Sequence, residues 1–452
     1  MDKHKISIIG SGPAGYSAAI RAAQMGMEVV VFEKGGLGGV CLNWGCIPTK
    51  TLATSASLLS NIKRADEFGI NIKEYNLDFA KVQKRKESIV AGLSSGIGML
   101  FNSHKIRLIK ESAKIEEHNC ISVNSEKVKT DSILIATGSM PLSISNIEFD
   151  HDKILSSKDM LSLKKIPRHL IIIGGGAIGC EFASIFKMFG SEVTIIEMAA
   201  QLLPNEDTEI AKRIELIFKK RGIKVFTNNK VEGIDKTEDG VKVFLSDGQV
   251  IAGDRSLVSI GRKPNTNDLG IEELGVVCDK GWIKTDKKFS TNIRNIYAAG
   301  DVTGGMLLAH VGSREGVAAI DAIAGVKNDI NYEVIPSCIF TQPEIASVGL
   351  NDKNAKDKSY NTISRKFLFS AIGKSHIAGD TEGFLKLIVN SDNDKILGAH
   401  IIGMNATELI AELSVCIQYG ITSEQLTRVI HAHPTLSEIV RETAEMVRYK
   451  TA

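Results

Sequence analysis

Two of the seven cysteines are close enough in sequence to act as a pair: Cys41 and Cys46, five residues apart in Val40-Cys41-Leu42-Asn43-Trp44-Gly45-Cys46-Ile47-Pro48-Thr49-Lys50. A bridge between them needs Cα atoms closer than about 7 Å, whereas residues five apart in a regular helix lie roughly 8 to 9 Å apart. Gly45 and Pro48 are residues that permit or mark the necessary distortion, and a bridge strained in this way is easily reduced. Left unbridged, the two are ordinary thiols, as a reducing compartment favours. Spacing by itself leaves both readings open. Cys120, Cys180, Cys278, Cys338 and Cys416 stand among apolar neighbours and read as small buried hydrophobes. With no Cys-x-x-Cys and no Cys/His cluster, neither a zinc site nor a secreted disulfide framework is indicated.

The elements around the pair come from an internal duplication. Ile6 to Ile9 reads as a strand, Gly10-Ser11-Gly12-Pro13-Ala14-Gly15 as a turn, Tyr16 to Met25 as a helix, and Glu28 to Phe32 as a second strand closed by Glu33. The same pattern returns 164 residues later without a gap: Leu170 to Ile173, the turn Gly174 to Gly179, a helix to Phe189, and Glu192 to Ile196 closed by Glu197. A further echo follows each copy, Asp131 to Gly138 ending at Pro141 and Asp254 to Gly261 ending at Pro264. A glycine turn between a strand and a helix lets backbone approach a pyrophosphate and offers it the helix's N-terminal N–H groups. Two nucleotide-binding domains of related design are therefore predicted.

The closing carboxylates distinguish the ligands. Glu197 accepts hydrogen bonds from ribose hydroxyls and repels a 2′-phosphate, and no Arg or Lys follows it in 198–203, so the second site is predicted to take NAD and not NADP. Glu33 is followed by the cysteine pair, which needs a redox partner. FAD suits that first site.

The run Gly39-Val40-Cys41-Leu42-Asn43-Trp44-Gly45-Cys46-Ile47-Pro48-Thr49-Lys50 resembles the active-site signature of the pyridine nucleotide-disulfide oxidoreductases, and both glycine turns, Tyr297 to Asp301 and His431 to Glu438 extend that resemblance over essentially the whole chain. Gly398 to Gly403, Ala406 to Ile410 and His431-Ala432-His433-Pro434 look most like the branch that oxidises dihydrolipoamide with NAD. The resemblance implies a redox disulfide in which Cys41 exchanges with substrate and Cys46 faces the flavin, with Lys50 near the flavin and Glu181 as its ion partner. It assigns Gly10, Gly12, Gly15, Glu33, Lys50, Thr137, Gly138, Asp301 and Ala309 to FAD, and Gly174, Gly176, Gly179, Glu197 and Gly261 to NAD. The resemblance also implies that each active site is completed by the second copy, whose His433 is expected to take the substrate thiol's proton, since a thiolate is the attacking species, with Glu438 orienting the ring. His431 reads as a surface or satisfied core residue, and a metal site from His431 and His433 has no supporting ligands. The chain departs from the family pattern at Val40, at Met404 and over 311–314.

The implied fold class is α/β, with two Rossmann-like dinucleotide-binding domains and a C-terminal α+β dimerisation domain. The expected boundaries are 1–145 for the FAD domain with the redox pair, 146–264 for the NAD domain, 265–332 for a central return segment and 333–452 for the interface domain. Length agrees, because 452 residues exceed what one core serves. Lys and Arg number 55 against 53 Asp and Glu, so no strong field draws the chain to nucleic acid or anionic membrane. The N-terminus meets a glycine turn too early for a signal peptide, and a cytoplasmic location is expected. The expected partners are a second copy of the chain and a lipoyl group carried by an acyltransferase of a 2-oxoacid dehydrogenase complex or by a glycine-cleavage carrier protein. A glutathione- or mercuric-type reductase and a non-catalytic complex subunit are the alternatives; a glutathione-type reductase wants basic residues near Glu197, a mercuric-type one ends in paired cysteines, which 446–452 lacks, and a non-catalytic subunit would not require Cys41, Cys46 and His433 together.

Overall fold

A computed structural model describes residues 3–145 and 147–448. The chain forms two compact units: residues 1–51, 80–142 and 261–330 make the first, and residues 52–79, 143–260 and 331–452 the second. Each contains one copy of the duplicated pattern.

In the first unit the strand Lys5–Ile9 lies between Glu28–Phe32 and Ser132–Ile135 in a parallel sheet completed by Arg107–Ile109 and Ile296–Ala298. In the second, His169–Ile173 lies between Glu192–Ile196 and Arg255–Val258, again all parallel, with Ile223–Phe226 and Ile154–Leu155 at the edges. The duplication extends to register: Lys5 pairs with Glu28 as His169 pairs with Glu192. These strands read as unbroken apolar runs because both sheet faces are covered, and after the first residue every position in Lys5–Ile9 and Glu192–Ile196 is buried.

The first turn's helix spans Pro13–Gln24, beginning three residues before the predicted Tyr16. Proline at the first helical position has its φ preset and gives up an N–H that would have had no intrahelical partner. The second helix, Ala177–Phe189, ends at Gly190 in the left-handed region. In both turns the third glycine packs on the first: a Cβ at Gly15 would stand 1.9 Å from Gly10 O, and one at Gly179 would stand 2.0 Å from Gly174 O. The spacing G-x-G-x-x-G is thus a packing requirement that pulls each helix onto its strand.

The C-terminal part of the second unit is an antiparallel sheet in the order Ser337–Ile339, Glu344–Gly349, Ile396–Gly403, Phe384–Asn390, Thr362–Leu368. Helices Ala406–Gln418 and Glu438–Arg448 contribute Ile410, Leu413, Ile439 and Val440 to its core, against Leu385, Leu387 and Ile401. This is the mixed α/β class expected, with an α+β C-terminal portion. Among the described residues no helix is long and apolar enough to cross a membrane.

Two expectations about cysteines divide. Cys120, Cys180 and Cys416 are buried, and burial pushes the Cys416 thiol up to about 11. Cys338 is only partly buried, and Cys278 is exposed, contrary to the expectation of burial. It sits on the two-stranded hairpin Cys278–Asp279 with Trp282–Ile283, where Val277 and Asp279 beside it are exposed too.

Candidate active site

The redox segment is built as two helices with a break between the cysteines. Gly38, left-handed at φ 93°, starts the helix Gly39–Trp44; Gly45 leaves helical geometry at φ −141°, ψ −111°; and Cys46 opens the helix Cys46–Lys63. Cys41 and Cys46 therefore approach each other across a non-helical residue, as the spacing required. A Cβ at Gly45 would come within 3.0 Å of Val40 O and 3.3 Å of Cys41 Cα, so the approach of the two turns leaves no room for a side chain. Pro48 falls in the first turn of the second helix, where it displaces no hydrogen bond.

Two contacts seat this segment on the first glycine turn, and a third residue braces it internally. Gly38 N–H donates to Ser11 O at 3.0 Å, and a Cβ at Gly39 would stand 2.5 Å from Gly12 Cα. Asn43 Nδ2 donates to the carbonyls of Gly36, Leu37 and Gly39 at 3.2, 3.0 and 2.9 Å, lacing the loop to the helix that carries Cys41.

Both sulfurs are thiols in the structure and interact directly. The Cys41 thiol is held far above its ordinary range, first by its hydrogen bond to Cys46, then by burial and by the charge on Cys46, with Lys50 acting in the opposite sense. The proton therefore stays on Cys41. Lys50 follows Cys46 by four residues, on the same helix face.

A second cation faces the pair. Arg262 is largely buried, with 14 % of its side chain exposed; burial lowers its pKa, while Asp301 and Cys46 act to raise it. Its Nε donates to Ser139 Oγ at 2.6 Å and its NH2 to Ser139 O at 2.7 Å, and Ser139 Oγ in turn donates to Asp301 Oδ2 at 2.5 Å. Neither Ser139 nor Arg262 stood out in the sequence. Each is the residue after the glycine of its echo, Gly138 and Gly261, and the strands they open, Ser139–Pro141 and Arg262–Pro264, pair antiparallel. The repeat was therefore the signal that could have found them.

The first turn fits a dinucleotide on structural grounds. Glu33 draws its carboxylate onto the turn, Oε2 accepting from Ser11 N and Oγ at 2.8 and 2.7 Å and Oε1 from Gly35 N at 2.7 Å, which leaves lone pairs for ribose hydroxyls. A cleft of about 400 Å³ opens beside it, lined by Gly36, Leu37, Ser94, Gly98 and Lys110 among others. Thr137 Oγ1 is buried with no hydrogen-bond partner, at the mouth where the first strand meets its echo. Ala309 begins the helix Ala309–Ile323, and Gly316 in that helix admits Ala14, since a Cβ there would stand 2.1 Å from Ala14 O. Gly312, within the departing stretch 311–314, likewise lies against Gly300 and Ala14.

The second turn repeats the arrangement. Glu197 Oε2 accepts from Gly175 N at 2.6 Å and Oε1 from Ala199 N at 2.7 Å, and a Cβ at Gly176 would meet nothing within 4 Å, leaving that face open to a ligand. Gly261 adopts φ +140° at the end of the paired echo, in the first unit. Glu181 belongs to the second unit, where it is 6 % exposed and its Oε1 accepts from Phe340 N at 2.9 Å.

His433 and Glu438 form a pair within the second unit: His433 Nδ1 lies 2.9 Å from Glu438 Oε1, and Thr435 N donates to Glu438 Oε2 at 2.9 Å. Hydrogen bonds from the His433 ring and the Thr435 N–H hold the Glu438 carboxyl below the usual carboxylate range. The His433 side chain is 77 % exposed, leaving Nε2 turned outward.

A dithiol seated on one dinucleotide turn, a second such turn in the other unit and an exposed His–Glu pair define a recognisable constellation. Residues 4–316 match the family described as pyridine nucleotide-disulphide oxidoreductase, and residues 335–444 match its dimerisation domain. The chain belongs to the pyridine nucleotide-disulphide oxidoreductases. Among its relatives in this family are the dihydrolipoyl dehydrogenases of Geobacillus stearothermophilus, 42 % identical over 97 % of this chain and 95 % of that protein, and of Bacillus subtilis, 40 % identical with the same coverage. Of solved structures, LpdA from Mycobacterium tuberculosis superposes with a TM-score of 0.92 at 27 % identity, covering 99 % of this chain and all of that one. The HOCl-induced flavoprotein disulfide reductase RclA from Escherichia coli gives 0.89 at 29 % identity over 98 % of this chain and all of that one. As a family member, the chain carries its dimerisation domain on the antiparallel sheet and on the helices that bear Glu412 and Glu438.

Proposed function

We propose that this protein is a homodimeric dihydrolipoyl dehydrogenase that uses FAD and NAD to reoxidise dihydrolipoamide through a Cys41–Cys46 disulfide. The observation that carries the reading is the Cys41–Cys46 pair locked onto the first glycine turn, with Lys50, Arg262 and Asp301 around it. The relatives named dihydrolipoyl dehydrogenase support the choice of substrate, and Glu197 with no Arg or Lys after it supports NAD over NADP. FAD suits the site of residues 1–145 and 265–332, NAD that of 146–264, and residues 333–452 form the interface domain.

In the oxidised enzyme His433 of the partner subunit removes a proton from one substrate thiol while Glu438 of the partner subunit holds the ring. The substrate thiolate attacks Cys41, the S–S bond breaks, and Cys46 leaves as a thiolate stabilised by nearby positive charge. The second substrate thiol then attacks the sulfur joined to Cys41, releasing lipoamide and the Cys41 thiol. FAD held at the first glycine turn by Gly10, Gly12, Gly15 and Glu33 would supply an acceptor for the dithiol's two electrons, and NAD held at the second turn by Gly174, Gly176, Gly179 and Glu197 would supply the final hydride acceptor. Lys50 would offer positive charge to the flavin, and Asp301 would bind its ribityl chain. The lipoyl group arrives on an acyltransferase or a glycine-cleavage carrier protein, in the cytoplasm.

The test is an anaerobic assay of purified protein with dihydrolipoamide and NAD, run beside oxidised glutathione and NADPH. Turnover with the first pair is expected. Turnover confined to the second pair contradicts the proposal and makes the protein a glutathione-type reductase.

A further inference from the structure

The segment between the short helix Ser423–Thr427 and the helix Glu438–Arg448 carries two histidines, and the proposed function uses one of them. Its side chains alternate sharply in exposure. Ile430 is 94 % exposed, the side chain of His431 is 5 % exposed, and that of His433 is 77 % exposed. His431 thus turns inward within a stretch that otherwise faces outward. Its Nε2 lies 2.9 Å from Glu412 Oε1 on the helix Ala406–Gln418, and its Nδ1 lies 3.2 Å from the Val429 carbonyl oxygen. Both ring nitrogens face oxygen acceptors.

The contacts that hold His433 differ in reach. Downstream they are local: Glu438 binds His433 and the Thr435 N–H, and Thr435 Oγ1 donates to Ala432 O. Those bonds fix the shape of residues 432–438, and buried Leu436 seats that half on the core. The upstream half has the His431–Glu412 bond, which spans 19 residues and reaches a helix whose Ile410 and Leu413 are locked in the core. A general base must stand within hydrogen-bond reach of its proton, and an error of about 1 Å costs up to roughly 10²-fold in rate.

We propose that His431 is a positioning residue: with Glu412 it pins residues 429–433 to the helix Ala406–Gln418 and so sets where the His433 ring stands. This rests on the reading of His433 as the proton acceptor.

The test uses the holoenzyme carrying His431→Ala, Glu412→Ala, both together, His431→Gln, or His433→Ala as reference. Dihydrolipoamide oxidation by NAD is measured beside NADH-driven ferricyanide reduction, which draws electrons from the flavin without a substrate thiol and so reports on folding and cofactor sites. His431→Ala and Glu412→Ala should each lower kcat for dihydrolipoamide about tenfold, with ferricyanide reduction and KM for NAD unchanged. The double variant should be no slower than the worse single one, because the two residues act as one unit. His431→Gln, which can still donate to Glu412, should recover most of the loss. Unchanged dihydrolipoamide turnover in the two alanine variants overturns the proposal, as does a parallel fall in ferricyanide reduction, which would mark a merely structural pair. If His433→Ala itself turns over dihydrolipoamide normally, the reading of His433 fails first and this inference with it.

Discussion

At the scale of single residues, the division of labour between two chemically identical side chains follows from their neighbours. Cys41 keeps its proton because the Cys46 sulfur accepts it as a hydrogen bond and because Cys41 is buried; negative charge on Cys46 is met by Arg262. Arg262 also acts through Ser139, which hands Asp301 a hydrogen bond at 2.5 Å. Losing one such donor to a charged group costs about 1–3 kcal/mol, so Ser139→Ala is expected to accelerate FAD dissociation about tenfold or more, read from the recovery of flavin fluorescence. An unchanged dissociation rate would detach Ser139 from the flavin site. Glu438 makes a sharper prediction. Its carboxyl is depressed, chiefly by the His433 hydrogen bond and then by the Thr435 N–H, so the pairing is complete above the ordinary glutamate pKa and is lost only as pH falls through the lowered value. A carboxyl-carbon NMR titration should place Glu438 below the ordinary value of about 4.3. In the His433→Ala variant it should move back toward that value.

At the scale of elements, the two glycine turns show which constraints a sequence displays openly. The strand–turn–helix–strand pattern, its offset and even its register follow from apolar runs and glycine spacing, because covered parallel strands and backbone-on-backbone packing tolerate few residue types. The helix break at Gly45 was legible for the same reason: two cysteines five apart could not meet within one regular helix. The start of the first helix at Pro13 was missed by reading the whole glycine turn as loop, although a proline there is already helical. The inward turn of His431 was not legible, because a histidine looks the same in sequence whether it faces solvent or a partner, and Ser139 and Arg262 were marked only by their place after the repeated glycines. Cys278 erred in the opposite direction: of its apolar neighbours Val276 is buried, but Val277 is exposed along with Cys278. The packing argument is testable at Gly179. Placing a Cβ 2.0 Å from Gly174 O forces the helix Ala177–Phe189 off its strand, so Gly179→Ala should weaken NADH binding at least tenfold by calorimetry while the flavin absorbance spectrum stays that of the parent. Unaltered NADH affinity would contradict the close packing assigned to that glycine.

At the scale of the whole molecule, the chain alternates between two units, and residues 52–79 join the second although they lie between stretches of the first. Nothing in composition marks that exchange, which falls within the helix Cys46–Lys63, between Thr51 and Leu52. Within the second unit one buried cation ties the nucleotide-binding half to the C-terminal sheet. Lys386, 3 % exposed in the midst of the apolar strand Phe384–Asn390, pairs with Asp207 at 3.0 Å, Glu209 at 2.9 Å and Asp352 at 2.5 Å. Burial lowers its pKa, but the hydrogen bonds it donates to Asp352, Glu209 and Asp207 outweigh that and hold it above the ordinary lysine range. Lys386→Met would leave Asp207 buried without its counter-charge, at a cost of about 3–5 kcal/mol. A clear fall in the melting temperature of the holoenzyme is expected, and an unchanged one would mean that Asp207 finds another partner.

The assignment of Cys41 and Cys46 to different tasks carries the whole account, and one spectrum separates them. A thiolate against oxidised flavin gives a long-wavelength absorbance band, so that band belongs to Cys46. The Cys41→Ser and Cys46→Ser variants are purified with FAD, and their visible spectra are recorded beside dihydrolipoamide turnover. Both variants should lose turnover, with Cys41→Ser keeping the band and Cys46→Ser losing it. The reverse pattern, or a band that survives in both, would contradict the roles assigned to the pair.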